Sequence, residues 1–274
     1  MPEKTSTEVD LLQSIEHLEI AQQNRHKILA DEPSEKIRFE IAKGDFVLGS
    51  TLYATQFVGS SSENPKAKLI TQHSIEEAFL RAEAGLASLS DSTLYSLESR
   101  ESQAIALREL SVLGLGEQQT STDNFQKRIV QVEKSRQILT DLCFANPLVQ
   151  KYEIELLETK ACLYRIARFK AAADTLSDSP VVFDELLQNA MLRDLNQSRK
   201  LAMDNPSAFM KSYLSLAKET CLTLLQVNAE SDALHVCVDA KTLFNQEGQS
   251  ESSPLLAPLI EFMELAIAEL HPFN

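Results

Sequence analysis

Four cysteines and five histidines are the side chains of this 274-residue chain best suited to hold a soft metal or to serve as nucleophile and base. Cys143, Cys162, Cys221 and Cys237 are widely spaced within apolar runs. His235 and Cys237 lie two positions apart, with Cys221 one expected helix earlier. Helical residues two apart point about 200° away from each other, the wrong geometry for two ligands of one zinc ion. The pair therefore reads as one buried cysteine beside one surface histidine. His17, His26, His73 and His271 have no Glu-x-x-His or His-Glu-x-x-His partnering. Gly114-Leu115-Gly116 starts like a dinucleotide fingerprint, but position 119 is Gln and no strand is expected before it. No Gly-rich loop ends in Lys-Ser or Lys-Thr, and no Ser sits in a nucleophile elbow. Glu76 and Glu77, and Glu153, Glu155 and Glu158, fall on the solvent faces of expected helices and read as surface charge. Nothing here assembles a nucleophile, a base and an orienting group. We expect no enzymatic activity, no cofactor and no metal.

The basic residues are more informative. Lys127, Arg128, Lys134 and Arg136 cluster on one expected helix, and Arg165, Arg168 and Lys170 follow further on. They read first as a solvated face offset by Glu133 and Asp141, and second as a docking patch for an acidic or phosphorylated segment. Aromatic residues are not interleaved with them, which argues against nucleic acid.

These groups belong to an acidic chain with a formal net charge of −14. Residues 1–122 hold 11 basic and 19 acidic side chains, residues 123–212 hold 13 and 12, and residues 213–274 hold 2 and 9. Acid at both ends repels phosphate, so neither nucleic acid nor an anionic membrane is expected as a partner. No run approaches the ~18 apolar residues of a membrane span. The opening MPEKTSTEVD has no apolar segment that would direct secretion. A cytoplasmic or nuclear setting with reduced thiols is the expectation.

Seven glycines and nine prolines are few for 274 residues, and breaks recur only every twenty to thirty positions. This pattern predicts an all-α fold of long helices. The expected elements are Thr7 to Ala30, Ser34 to Phe57, a helix starting at Ser74 with Glu77 as capping partner, Thr93 to Leu115, and one ending at Ala145. Val149 to Ala167, a shorter helix from Phe169 to Leu176, a helix ending before Asn205-Pro206, Ala208 to Val227 and Ser231 to Phe244 follow. Gly44 and Gly49 inside the second helix predict close approach of another helix. The whole of 1–274 reads as a single helical-repeat domain: an N-terminal helix in 1–33, hairpins over 34–244 and a capping helix in 252–272.

The segments Leu142 to Pro147 and Leu201 to Pro206 can be superposed at an offset of 59 residues, which also places Leu157 on Leu216 and Cys162 on Cys221. Together with Ser74 to Leu89 and the Leu157, Ala161, Tyr164, Ala173 spacing, this chain resembles the tetratricopeptide-repeat superfamily, although the usual period of about 34 residues is not kept. The resemblance implies antiparallel hairpins stacked into a right-handed α-solenoid. It also implies a groove lined by the first helix of each hairpin, with Arg108, Lys151, Lys160, Lys211 and Lys218 as partner-binding candidates. The expected function is a non-catalytic scaffold or adaptor that binds another protein or peptide, or sits as a subunit of a larger assembly. The alternative is a helical sensor for a small or phosphorylated ligand.

Overall fold

A computed structural model describes residues 3–31, 33–59, 70–115, 122–174, 185–247 and 256–270. Among these residues the chain is all-helical, with ten helices and no strand. They are α1 (Glu3–Asp31), α2 (Glu35–Gly59), α3 (Gln72–Ala87), α4 (Ser96–Val112), α5 (Thr122–Ala145), α6 (Gln150–Asp174), α7 (Glu185–Asp204), α8 (Pro206–Gln226), α9 (Glu230–Gln246) and α10 (Ala257–Leu270). The expected break between Ala167 and Phe169 does not occur; α6 is continuous. No Gly or Pro stands there to interrupt it. The expected break around Pro180 lies outside the described residues, as do most of the first polar linker and the end of the second.

The chain divides into two compact units: residues 1–114 with 137–142, and residues 115–136 with 143–274. In the first unit α2 is central and packs against α1, α3 and α4, while α3 also packs on α4. The apolar stripe expected on α3 is buried at every position: Ile75, Ala78, Phe79, Ala82, Leu86 and, just beyond the helix, Leu89. Its start differs from expectation. Thr71 is the N-cap, accepting from the Ser74 amide, and Ser74 Oγ in turn accepts from the Thr71 amide. Ser74 is thus the third helical residue, closing the box that Glu77 was expected to close. On α4 and its approach, Leu94 and Leu97 are exposed while Ala104, Leu107, Leu110 and Leu113 are buried. The helix begins only at Ser96, so its inward face is set by Ser99, Ser102 and Ala106. Gly114, with φ of +65°, adopts the left-handed conformation that ends α4. That assigns the Gly114 of the fingerprint-like triplet to helix termination.

In the second unit α6, α8 and α10 contact one another in series, with α7 packed on α6 and α8, and α9 on α8 and α10. Pro206 occupies the first turn of α8 immediately after α7 ends, where its missing N–H costs nothing. Polar contacts give the relative direction of the helices. From α6 to α8, Glu158 meets Ser212, Arg165 meets Glu219 and Arg168 accepts from Gln226, at separations of 54, 54 and 58 residues. A nearly constant separation means the two helices run parallel, as alternate members of a hairpin stack do.

Two glycines set the packing of α2 on α3. A Cβ on Gly85 would lie 2.8 Å from Ala42 Cβ, and one on Gly49 would lie 3.1 Å from the Phe79 ring. Close approach of another helix was expected at both Gly49 and Gly44; at Gly44 the neighbour is the buried, hydrogen-bonded Gln22 side chain of α1. Gly85→Ala gains about 1 kcal/mol of helix propensity but incurs about 1–3 kcal/mol of overpacking. We predict net destabilisation in urea unfolding, relieved when Ala42→Gly is added. A stabilised Gly85→Ala would show that α2 and α3 can part freely.

Candidate binding cleft

The structure places most of the basic candidates in ion pairs or ring contacts within the protein. Lys160 on α6 is 2.9 Å from Asp194 of α7, and Lys211 on α8 is 3.3 Å from Glu158 of α6. Lys218 lies over the Phe262 ring of α10 at 5.2 Å. Arg108 on α4 bonds its neighbour Glu109, and Lys151 is exposed at the start of α6. Of the α5 cluster, Arg136 pairs with Glu133 at 2.7 Å, Lys127 and Lys134 are exposed, and Arg128 is buried. Arg165 and Arg168 converge on one carboxylate, Glu219 of α8, at 2.8 and 3.2 Å. The Glu219 side chain is only 2% exposed, so its charge rests on these two guanidinium groups. The expected solvated face therefore holds at Lys127 and Lys134 but not at Arg128, and the second cluster is a helix-to-helix clamp.

A repeated polar contact joins successive helices of the second unit. Tyr164 on α6 donates to Asp194 on α7 at 2.5 Å, and Tyr213 on α8 donates to Asp239 on α9 at 2.9 Å. Each aspartate also receives a cation: Lys160 for Asp194, and Arg199 for Asp239 through two hydrogen bonds of 2.7 and 2.9 Å. Burial and the aspartate partner both push each tyrosine hydroxyl well above its ordinary value, so both stay protonated donors. Around the second contact lies a recess of about 340 Å³ lined by Asn196, Arg199, Tyr213, His235 and Asp239 with apolar neighbours. His235 is exposed there, whereas Cys237 is buried and its thiol donates to buried Cys221 at 3.0 Å. Among the described residues no three His, Cys, Asp or Glu side chains gather as a metal site.

Sequence reasoning missed the cleft in the first unit. Helices α1 and α3 both pack on α2, and between them opens a cleft of about 440 Å³. Leu48 and Leu52 of α2 form its floor, Leu12 and Ile15 of α1 one apolar wall, and Ile70 one end. Glu16 and Glu19 stand on the α1 rim; Ser74, Glu77 and Arg81 stand on the α3 rim. The spacing explains the grouping. Leu12, Ile15, Glu16 and Glu19 are an i, i+3, i+4, i+7 stripe, as are Ser74, Glu77 and Arg81 with one position omitted. Arg81 is turned to Asp45, a carboxylate 6% exposed on α2, at 3.2 Å. The available signal was an apolar stripe on α1 that passes into two glutamates within one turn.

Compared with known proteins, the chain matches no family model and no curated protein.

Burial would raise the Asp239 carboxyl, but hydrogen bonds from Arg199 and Tyr213 outweigh it and hold the group below the usual carboxylate range. The stability it contributes is complete above the ordinary aspartate value and is lost as pH falls through the depressed one. We predict that Asp239→Asn destabilises the protein by about 1–2 kcal/mol at neutral pH. The gap to wild type should narrow as unfolding is measured from about pH 5 down to about pH 3. A gap constant over that range would show that charge on Asp239 does not stabilise the α8–α9 contact.

Proposed function

We propose that this chain is a non-catalytic helical-repeat scaffold, tetratricopeptide-like in design, that binds a partner protein as an adaptor or as a subunit of a larger assembly. The observation that carries the reading is the cleft between α1 and α3. It is a recess between two helices packed on a third, with Leu12 and Ile70 partly exposed over buried Ile15, Leu48 and Leu52, a form of surface on which a partner helix or extended segment can dock. The all-helical architecture and the parallel α6 and α8 of the second unit support a repeat design. Of the basic residues expected to line a groove, Lys160, Lys211 and Lys218 bind the scaffold's own helices together, which favours a docking surface on the first unit. Four free cysteines suit a reducing compartment, cytoplasm or nucleus. Among the described residues no helix is long and apolar enough to cross a membrane.

The recess around Arg199 favours the alternative, a sensor for a small or phosphorylated ligand, less well. Asp239 already engages the guanidinium through two hydrogen bonds, which reduces the positive field left for a phosphate.

Leu12 is half-buried on the cleft wall, so Leu12→Lys places a charge in the cleft with little cost to the fold. With the partner that co-purifies with wild type, we expect Leu12→Lys to weaken binding about tenfold or more. In hydrogen exchange the partner should protect residues 12–19, 48–52 and 74–81. Unchanged affinity together with protection elsewhere would refute the cleft as the docking surface.

A further inference from the structure

Cys221 on α8 and Cys237 on α9 are fully enclosed and in contact, and neither serves the cleft or the aspartate ties. We propose that this pair is a site of reversible oxidation, closed to a disulfide by a peroxide and reopened by a thiol reductant. The local sequence brings the two together. Asn228 adopts the left-handed conformation, with φ of +59°. Its amide donates to the Leu225 carbonyl at 3.1 Å, and the Ala229 amide donates to the Leu224 carbonyl at 2.9 Å. This paired closure stops α8 and turns the chain into α9, which begins at Glu230. The two helices then face each other antiparallel, at 26 residues of separation for Tyr213 and Asp239 and 16 for Cys221 and Cys237. Around the pair the residues are short. Ala217 stands one turn before Cys221, Ala233 and Ala240 stand one turn either side of Cys237, and all three are buried. Alanine at such positions lets helices approach closely. The sulfurs meet at 3.0 Å, about 1 Å more than a disulfide bond, a gap that small side-chain rotations close.

The contact also assigns the roles. Cys237 donates to Cys221, and this hydrogen bond holds the Cys221 thiol below its ordinary value against the opposing effect of burial. Cys221 is therefore the nucleophile. Its thiolate attacks one oxygen of hydrogen peroxide and the O–O bond breaks. Cys221 is left as a sulfenic acid, and the departing hydroxide becomes water with the Cys221 proton. The Cys237 sulfur then attacks the Cys221 sulfur. The S–S bond forms, the S–O bond breaks, and hydroxide leaves as water with the Cys237 proton. In sum two thiols are oxidised by two electrons and one peroxide is reduced to two waters. Because both sulfurs are enclosed, peroxide reaches them only when α9 opens locally from α8, so oxidation is slow and follows sustained exposure. The bond then ties α9, which carries His235 and Asp239 of the recess, to α8, which carries Tyr213.

The test uses the full chain, reduced and folded. No Lys or Arg lies between Glu219 and Lys241, so one tryptic peptide, 219–241, carries both cysteines. The protein is exposed to hydrogen peroxide, unfolded in an alkylating reagent, digested and weighed by mass spectrometry. We expect this peptide to lose two hydrogens and take no alkyl group, and to take two after dithiothreitol treatment. The oxidised protein should melt about 5 °C or more higher in the transition that unfolds α8 and α9, because the link closes a loop in the unfolded chain. Dithiothreitol should erase that rise, and Cys221→Ala should not show it. The mass measurement on wild type stands whether or not the variant folds. A doubly alkylated 219–241 peptide alongside oxidised Cys143 or Cys162, both less buried, would overturn the proposal. So would sulfinic acid on Cys221 in place of the link, or a link that forms only when urea unfolds the chain before peroxide is added.

Discussion

The antiparallel contact of α2 with α3 is the constraint on which the first unit depends. It is held at two points about two turns apart, where Gly85 meets Ala42 and Gly49 meets Phe79. Between them Arg81 reaches Asp45, and the Phe46 and Phe79 rings meet edge to face at 6.0 Å. Because neither glycine can move outward without opening a void, close packing holds α2 and α3 at this separation. The cleft follows from that spacing. α1 packs on α2 beside α3 rather than over it, with Gln22 donating to the Ile41 carbonyl at 2.7 Å, and Leu48 and Leu52 are left as a floor between two walls.

The second unit solves the same problem with charge instead of glycine. Its helices are tied by aspartate and glutamate groups that each accept from two or more side chains: Asp194 from Tyr164 and Lys160, Asp239 from Tyr213 and Arg199, Glu219 from Arg165 and Arg168. Multiple donors are what make a buried carboxylate tolerable, because a single partner would leave lone pairs without water or hydrogen bond. The arrangement also specifies register. A one-turn slip of α8 along α6 would carry Glu219 away from both arginines and leave it buried without a cation, a penalty far larger than that of an apolar mismatch.

How much of this was legible in the sequence divides along the range of the interaction. The α3 stripe from Ile75 to Leu86 is local, repeats every three or four residues, and was readable in full. The caps at Thr71 and Gly114 are also local, but each lay one turn from the position expected or was masked by a motif of another kind. The basic residues were a different matter. Arg165 reads as part of a surface basic patch and Lys160 as a groove-lining cation because their partners, Glu219 and Asp194, lie 54 and 34 residues away on other helices. The 59-residue offset found between Leu142 and Leu201 held the clue, since the structure pairs α6 with α8 in parallel at 51 to 58 residues. A repeat in sequence implies that the two helices share a packing role, and hence that charges on one can face charges on the other.

The cleft was the least legible feature, and the reason is physical. Leu12 and Ile15 satisfy the periodicity of a core-facing stripe, and Glu76 and Glu77 that of a solvent face, so each helix read alone is ordinary. The cleft exists only because the stripe on α1 is wider than the surface α2 offers it. Ile15 is buried, while Leu12 in the same stripe is only partly covered. An apolar stripe that outruns its partner within the chain leaves surface in contact with water that a further helix would cover, at roughly 25 cal/mol for each Å². In this protein, then, the same residue types have two settings divided by solvent. Carboxylates shielded from water lock helix to helix, and those left in water stand on the rim of the cleft.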